Sequence, residues 1–362
     1  MVLTIPNLKE EFHNKKVFVS GHTGFKGAWL ISILHILGAK VKGYALAPDN
    51  DQCLFNLIDG KSMCESVIAD VRDHEKLSSE INNFKPDYLF HMAAQPLVSK
   101  GYENPKETYE VNVLGTLNIL NSLKKDNFQC TSIIITTDKV YKNIESNHYY
   151  NENDRLGGKD PYSSSKACAE LVVDAMINSY FDYNNLSIHN KRITTARSGN
   201  VIGGGDWAKN RLIPDFVNSI KSKSHISLRN PNAVRPWQHV LDPIIGYLLL
   251  AINLNKSHND FSQPFNFGPN KLDCVSVDKV IDMCIDSWGK GTKIINENSD
   301  MFKESGLLML DIQKAKNLLN WQPLFNLKKA INMTIDWYQV FEDNPDQIKD
   351  FTFNQINQTL NI

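Results

Sequence analysis

A tyrosine and a lysine four residues apart, in Pro161-Tyr162-Ser163-Ser164-Ser165-Lys166, are the side chains of this sequence best suited to moving a proton. On a helix such positions share a face, so the Lys166 ammonium stands near the Tyr162 phenol and favours its ionised form. A phenolate so produced is a base usable near neutral pH. It can take the proton of a sugar or alcohol hydroxyl while hydride leaves the same carbon. Thr137, Asp138 and Lys139 stand 25, 24 and 23 residues before Tyr162 and add a hydroxyl, a carboxyl and an ammonium. The same tyrosine–lysine spacing recurs at Tyr102 and Lys106, with Pro105 between them and no glycine turn directed at it, and is read as coincidence.

The hydride needs an acceptor, and the start of the chain supplies a place for one. Lys16–Ser20 is a short β-branched run that ends in Gly21-His22-Thr23-Gly24-Phe25-Lys26-Gly27, and an apolar stretch with helical periodicity, Ala28 to Leu37, follows. Glycines at 21, 24 and 27 let the backbone turn sharply and approach a pyrophosphate, whose charge meets the N–H groups of the helix start. A second strand, Lys40 to Leu46, carries no acidic residue at its end, with Asp49 and Asp51 arriving late and no arginine in their place, so these residues leave NAD and NADP both open. Ser66 to Ala69 and Tyr88 to Gln95 read as further strands. Asp70-Val71 follows the first of them and either meets an adenine or caps a turn. In the second, small Ala93 and Ala94 leave room for a ligand, and Gln95 ends the run. Cys130–Thr136 is another strand, which delivers Thr137, Asp138 and Lys139 at its carboxyl end, where ligands sit in parallel sheets. Asn112, on a helix from about Glu107 to Lys124, is either a structural pin or an ordinary polar helix residue.

Arg192 to Arg197 reads as a sixth parallel strand, leading through Asn200 to Gly203-Gly204-Gly205-Asp206-Trp207, a run that marks the crossing to a substrate-binding portion. A helix introduced by Arg211 and Pro214 runs to about Lys221, and Arg235-Pro236-Trp237-Gln238-His239-Val240 follows another short strand. Arginine presents a planar fork to a diphosphate and tryptophan a face to a base or sugar; a surface arginine beside a core tryptophan is the other reading. Helices are expected over Val277–Trp288 and within Asp311–Pro323, and the polar tail after Glu342 is expected to fray. The fold class is α/β: a doubly wound parallel sheet (Rossmann) over 1–200, then a smaller C-terminal α/β substrate-binding domain over 201–362, with a strand and a helix able to return to the first.

With 39 Lys and Arg against 40 Asp and Glu, the chain has no net field to attract nucleic acid or an anionic membrane. Six cysteines, at 53, 64, 130, 168, 274 and 284, have no metal-ligand spacing and read as reduced thiols, so no metal is expected. The first fourteen residues are polar, and no run of about eighteen apolar residues occurs; a cytoplasmic location is expected.

The turn Gly21 to Gly27, His91-Met-Ala-Ala-Gln-Pro96, Asn200 to Trp207, Arg235 to Val240 and Leu318-Leu-Asn-Trp-Gln-Pro323 together resemble the extended branch of the short-chain dehydrogenase/reductase family. Within it the chain is similar to nucleotide-sugar 4,6-dehydratases, whose middle motif is threonine, aspartate, glutamate; Lys139 in third place is as in the CDP-sugar branch. The resemblance implies a lyase that oxidises C4 of CDP-glucose, eliminates water across C5 and C6 and returns hydride to C6, making a deoxysugar for surface polysaccharide. Tyr162, Lys166 and Thr137 would act at C4, Asp138 as acid and Lys139 as base. The two last charges favour one another's ionised forms unless burial reverses this. NAD would be held by Gly21, Thr23, Gly24, Phe25, Lys26, Gly27, Asp70, Val71, Ala93, Ala94, Gln95, Tyr162 and Lys166. The substrate would be held by Asn200, Asp206, Trp207, Arg211, Arg235, Trp237 and His239. Family members pair through a helix bundle, for which the helices at about 107–124 and 162–180 are candidates, as homodimers or homotetramers. A 4-epimerase or reductase on the same scaffold, or a dehydratase for another nucleotide sugar, is the alternative, and Asp138-Lys139 weighs against the first.

Overall fold

Side chains of successive strand residues point to opposite faces, and the apolar strands of the first half use both. In the computed structural model, which describes residues 8–257, 261–296 and 305–361, Val17, Val19, Tyr88, Phe90, Ile133 and Ile135 face one side. They pack there on Trp29, Leu30, Ile33 and Leu34 of the helix Phe25–Ile36 and on the helix Leu241–Lys256. Phe18, Leu89 and Ile134, interleaved with them, face the other side and meet Leu77 and Ile81 of His74–Phe84, Ile119 and Leu123 of Gly115–Lys124, and Val173 and Met176 of Pro161–Tyr180. A three-layer sandwich results.

The middle layer is one parallel sheet of seven strands: Lys16–Ser20 (β1), Lys40–Ala45 (β2), Glu65–Ile68 (β3), Tyr88–His91 (β4), Cys130–Ile135 (β5), Lys191–Ser198 (β6) and Phe265–Phe267 (β7). Their order is β7-β6-β5-β4-β1-β2-β3. β1 therefore lies beside both β2 and β4, and the winding direction reverses between β1 and β4; in such sheets this is the crevice where ligands bind. The edge strand β7 and the helix Leu241–Lys256 come from the second half of the chain. Phe265, Asn266 and Phe267 pair with Ala196, Arg197 and Ser198 of β6.

The rest of the second half sits on two-stranded pairings, Val234–Pro236 with Cys274–Ser276 and Gln238–His239 with Val201–Ile202 among them. The tail departs from expectation. Ile348–Leu360 is a helix that buries Ile348, Ile356 and Leu360 together with Thr352 and Gln355. Its polar positions are held by hydrogen bonds: Trp337 Nε1 donates to Thr352 Oγ1 at 2.8 Å, and Gln355 Nε2 donates to the Met333 carbonyl at 2.8 Å. A polar composition is compatible with a docked helix when its inward groups are so matched. No helix among the described residues is long and apolar enough to cross a membrane.

Candidate active site

The loops leaving β1 and β4 touch. Gly21 has φ of +78°, and a Cβ on it would fall 2.6 Å from the Ala93 nitrogen. A Cβ on Gly27 would fall 2.0 Å from the Gly21 oxygen, so both glycines let the turn fold onto itself and onto its neighbour. Gly24 is different. A Cβ there would meet nothing nearer than 3.4 Å, and as the residue before the helix Phe25–Ile36 it offers no side chain to the first N–H groups. The helix start is left open to an anion, and a dinucleotide pyrophosphate fits this cradle.

Several side chains expected around a cofactor serve the protein itself. Thr23 Oγ1 donates to the Leu46 carbonyl at 2.9 Å and fixes the exit of β2. The Asp70 carboxylate takes the Arg72 guanidinium at 2.6–3.1 Å and the Arg72 N–H at 2.8 Å, which is the turn-capping alternative. Val71 packs on Gly115, where a Cβ would meet it at 2.8 Å. Gln95 gives its Nε2 to Thr108 and takes the Leu97 N–H. Asn112 is a pin: it accepts the Gln95 N–H at 2.9 Å and donates to the Gln95 carbonyl at 3.1 Å and to Ser165 Oγ at 2.9 Å. A π-turn at Glu110–Leu114 within the helical run 105–124 carries Asn112. It thus fastens the exit of β4 to the residue preceding Lys166.

Asp160 starts the helix Pro161–Tyr180 by accepting the Ser163 N–H, with Pro161 in the first turn, where its missing donor costs nothing. Tyr162 and Lys166 are buried one turn apart on it. The expected lowering of the phenol by its lysine is not what the structure gives. Lys166 Nζ donates to the Ile135 carbonyl at 3.2 Å, and burial pushes the Tyr162 phenol up to about 12 against the pull of the nearby Thr137 side chain. Burial likewise pushes Lys166 down to about 8, opposed by Glu170. Tyr102 and Lys106, by contrast, lie on separate short helices, Val98–Glu103 and Pro105–Tyr109, and share no face.

Thr137 Oγ1 donates to Asp138 Oδ1 at 3.0 Å and lies close enough to the Tyr162 phenol to pull its pKa down, so phenol, hydroxyl and carboxyl stand together in one line. Asp138 is buried, and its Oδ2 has no partner among the described residues. Burial raises its pKa, with Lys139 and Thr137 opposing, so desolvation outweighs the nearby ammonium and favours the protonated form more than in water. Lys139 lines a cavity of about 300 Å³ with Tyr102, Tyr141, Asp160, Ser163 and Ser305.

Behind this line lies a buried ion pair that motif reading passed over. Arg197 Nε and Nη2 donate to Glu170 at 3.0 and 2.9 Å, and Thr136 and Thr195 donate to the same carboxylate at 2.5 and 2.8 Å. Arg197 Nη1 reaches the Tyr141 hydroxyl at 2.9 Å, and Tyr141 donates to Asn266 of β7 at 2.7 Å. The carboxyl ends of β5, β6 and β7 are thereby tied to the Tyr162 helix. Glu170 stands four residues after Lys166, a spacing visible in the sequence; its arginine, 27 residues further on, is not.

Of the expected substrate contacts, Arg211 and Asp206 form an ion pair at 2.9 Å, and Arg211 faces Tyr162. Arg235 is buried and donates to the Val234 and Ser305 carbonyls. Asn200 is half-buried, and its carbonyl accepts the Gln238 N–H. Of the aromatic candidates Trp207 is half-buried, while Trp237 and His239 are corrected. Trp207 packs among Tyr338, Phe341 and the Lys221 ammonium. Trp237 is a core residue whose N–H is spent on the Val275 carbonyl at 3.1 Å. His239 is fully buried between Trp29 and Phe325, which leaves no face for a ligand.

A parallel sheet with an open glycine turn at its switch point, and a tyrosine–lysine helix beside it, define the extended class of short-chain dehydrogenase/reductase. The family model described as GDP-mannose 4,6 dehydratase matches residues 18–334, and the chain belongs to that family. It is 42% identical over 340 residues to a CDP-glucose 4,6-dehydratase of Salmonella typhimurium, covering 94% of this chain and 95% of that protein. Among solved structures it is similar in fold to a dTDP-glucose 4,6-dehydratase of Bacillus anthracis in complex with NAD, with a TM-score of 0.73 and 20% identity over 91% of this chain and 97% of the other. A UDP-glucose 4-epimerase of Thermotoga maritima with UDP-glucose has a TM-score of 0.76 and 19% identity, covering 91% and 100%.

Proposed function

We propose that this chain converts CDP-D-glucose to CDP-4-keto-6-deoxy-D-glucose, an NAD-dependent lyase reaction. The observation that carries the reading is Asp138, a buried acid that accepts the Thr137 hydroxyl beside the Tyr162 phenol. Exchange of configuration at C4 needs only a group that takes and returns one proton; elimination needs a second group that delivers a proton to a leaving hydroxyl.

NAD held at the Gly21–Gly27 turn would supply the hydride acceptor at C4 and the donor at C6. The chain's own groups do the rest. Tyr162, positioned by Thr137, holds the proton of the C4 hydroxyl. Asp138, whose pKa burial raises, delivers the proton with which the C6 hydroxyl leaves as water. Lys139 takes the C5 proton. Arg211 and Arg235 supply positive charge for the diphosphate. A homodimer through the helices over 105–124 and 161–180 accords with Leu114 and Leu171, which are 50% and 58% exposed on them.

Incubation with CDP-glucose tests the activity. The expected product has the alkaline ultraviolet absorbance of a 4-keto-6-deoxy sugar, and a C4 epimer formed without that absorbance overturns the reading. Mass spectrometry of the denatured protein is expected to release NAD; NADP would refute the cofactor assignment. Sedimentation velocity is expected to give a dimer, and a monomer would refute the pairing.

A further inference from the structure

Lys26 belongs by sequence to the glycine turn, yet its ammonium is not there. It is the second residue of the helix Phe25–Ile36, and its side chain reaches the carboxyl end of β6, where Nζ donates to Ser198 Oγ at 3.1 Å. Tyr247, from the helix Leu241–Lys256, donates its hydroxyl to the same oxygen at 2.8 Å, and Nζ lies 5.8 Å from the centre of the Tyr247 ring. A serine oxygen that accepts twice must send its own proton to a third atom, and accepting makes it a better donor. The charges facing Lys26 are Lys166 from the tyrosine helix, Arg211 from before the helix Leu212–Lys221, and Asp138 from the end of β5. Tyr247 in turn faces Tyr162. A Cβ on Gly199, the residue after Ser198, would fall 3.2 Å from Asp138 Oδ2, so the Lys26–Ser198–Tyr247 group stands beside the Tyr162–Thr137–Asp138 line.

A buried ammonium without a carboxylate partner is expensive to keep. Among the described residues no carboxylate lies within ion-pair distance of Lys26. Burial, with Lys166 and Arg211 adding repulsion, pushes it down to about 7. Such a group does little for the fold and is suited to meet negative charge brought in by a ligand.

We propose that Lys26, with Ser198 and Tyr247, forms an oxyanion-stabilising wall of the catalytic cleft and donates to the C4 oxygen of the sugar as the C5 proton leaves. The proposal rests on the dehydratase reading above. When the base takes the C5 proton, the C5–H electron pair becomes the C4–C5 double bond and the carbonyl pair moves onto the C4 oxygen, giving an enolate. When the C6–O bond breaks, that charge flows back to re-form the carbonyl, and the hydroxyl leaves as water with the proton of Asp138. Donors fixed in a dry cleft are worth most where charge develops in the reaction.

The test uses the protein as purified, with CDP-glucose in deuterated water, and follows deuterium entry at C5 by NMR, dinucleotide retention by mass spectrometry and the pH profile of turnover. Lys26→Met removes a buried charge and is expected to fold, to keep its dinucleotide and to lose C5 exchange about 100-fold or more. Wild-type turnover is expected to fall as pH rises through about 7, where the ammonium is lost; Lys26→Arg, charged throughout, keeps its activity on the alkaline side. Tyr247→Phe, which leaves every charge in place, is expected to slow C5 exchange about tenfold. Exchange in Lys26→Met equal to that of an active wild type overturns the proposal alone, as does loss of the dinucleotide, which would make Lys26 a cofactor ligand. If Lys26→Met fails to fold, unchanged exchange in Tyr247→Phe together with an alkaline fall in Lys26→Arg overturns it. Wild-type protein inert toward CDP-glucose sinks the dehydratase reading and takes this proposal with it.

Discussion

Glu170→Gln removes one negative charge behind the catalytic helix while keeping the shape of the side chain. In the wild type both carboxylate oxygens are in use, and burial, which opposes ionisation, is outweighed by Arg197 and by the hydrogen bonds from Thr136 and Thr195, so the pKa is lowered. Breaking one partner out of a buried ion pair costs about 3–5 kcal/mol, because the other charge is left without compensation. Glutamine keeps one acceptor, and Arg197 keeps the Tyr141 hydroxyl, which puts the expected loss near the lower figure, about 3 kcal/mol. For a chain of 362 residues, an unfolding entropy of about 2.1 cal/mol/K per residue makes 1 kcal/mol worth roughly 1.3 °C, so the melting temperature should fall by about 4 °C. Lys166 would also lose the carboxylate that holds its pKa up, and its own titration should move to lower pH. Scanning calorimetry of Glu170→Gln, Arg197→Met and the pair together measures the stability term. The double variant, with neither charge buried, is expected to recover at least half of the single loss. A single variant within about 1 °C of wild type, or a double variant melting below both singles, would refute the assignment.

Two further outcomes are expected. Lys139→Ala should leave C4 oxidation measurable in a single turnover while reducing solvent exchange at C5 by about 100-fold or more; full exchange removes Lys139 from the role of base. Burial pushes Asp242 up to about 7 from 3.8, and its Oδ2 has no partner among the described residues. The folded state therefore prefers the protonated form, and stability is fullest below about pH 4 and declines as pH rises through 7, by roughly 4 kcal/mol in all. Asp242→Asn keeps an acceptor for the Leu324 N–H, so its urea midpoint should match wild type near pH 4 and exceed it near pH 7. Equal midpoints at both pH values would show that Asp242 titrates normally.

Local chemistry was readable wherever one short stretch held all of it. Strand, glycine turn and helix occupy the first 37 residues, and periodicity alone places them, because a turn needing positive φ at Gly21 and close approach at Gly27 restricts the residue type. The raised pKa values of Asp138 and of the Tyr162 phenol were not readable, since both follow from how completely later segments exclude water. Trp237 and His239 misled for a related reason: an aromatic beside an arginine suits a ligand and a core equally well, and only the packing around it decides. The docked tail, Ile348–Leu360, was hidden because threonine and glutamine occupy inward positions that pattern reading gives to solvent.

The late arrival of β7 bears on how the protein is made. While the ribosome adds residues 199–264, the outer edge of β6 has no neighbour, and the backbone groups of Ala196 to Ser198 stand ready to pair with another chain. At about 5–20 residues per second, that interval lasts roughly 3 to 13 s. A polypeptide released before Phe265 keeps this sticky border permanently, and aggregation of such fragments is the outcome the strand order dictates.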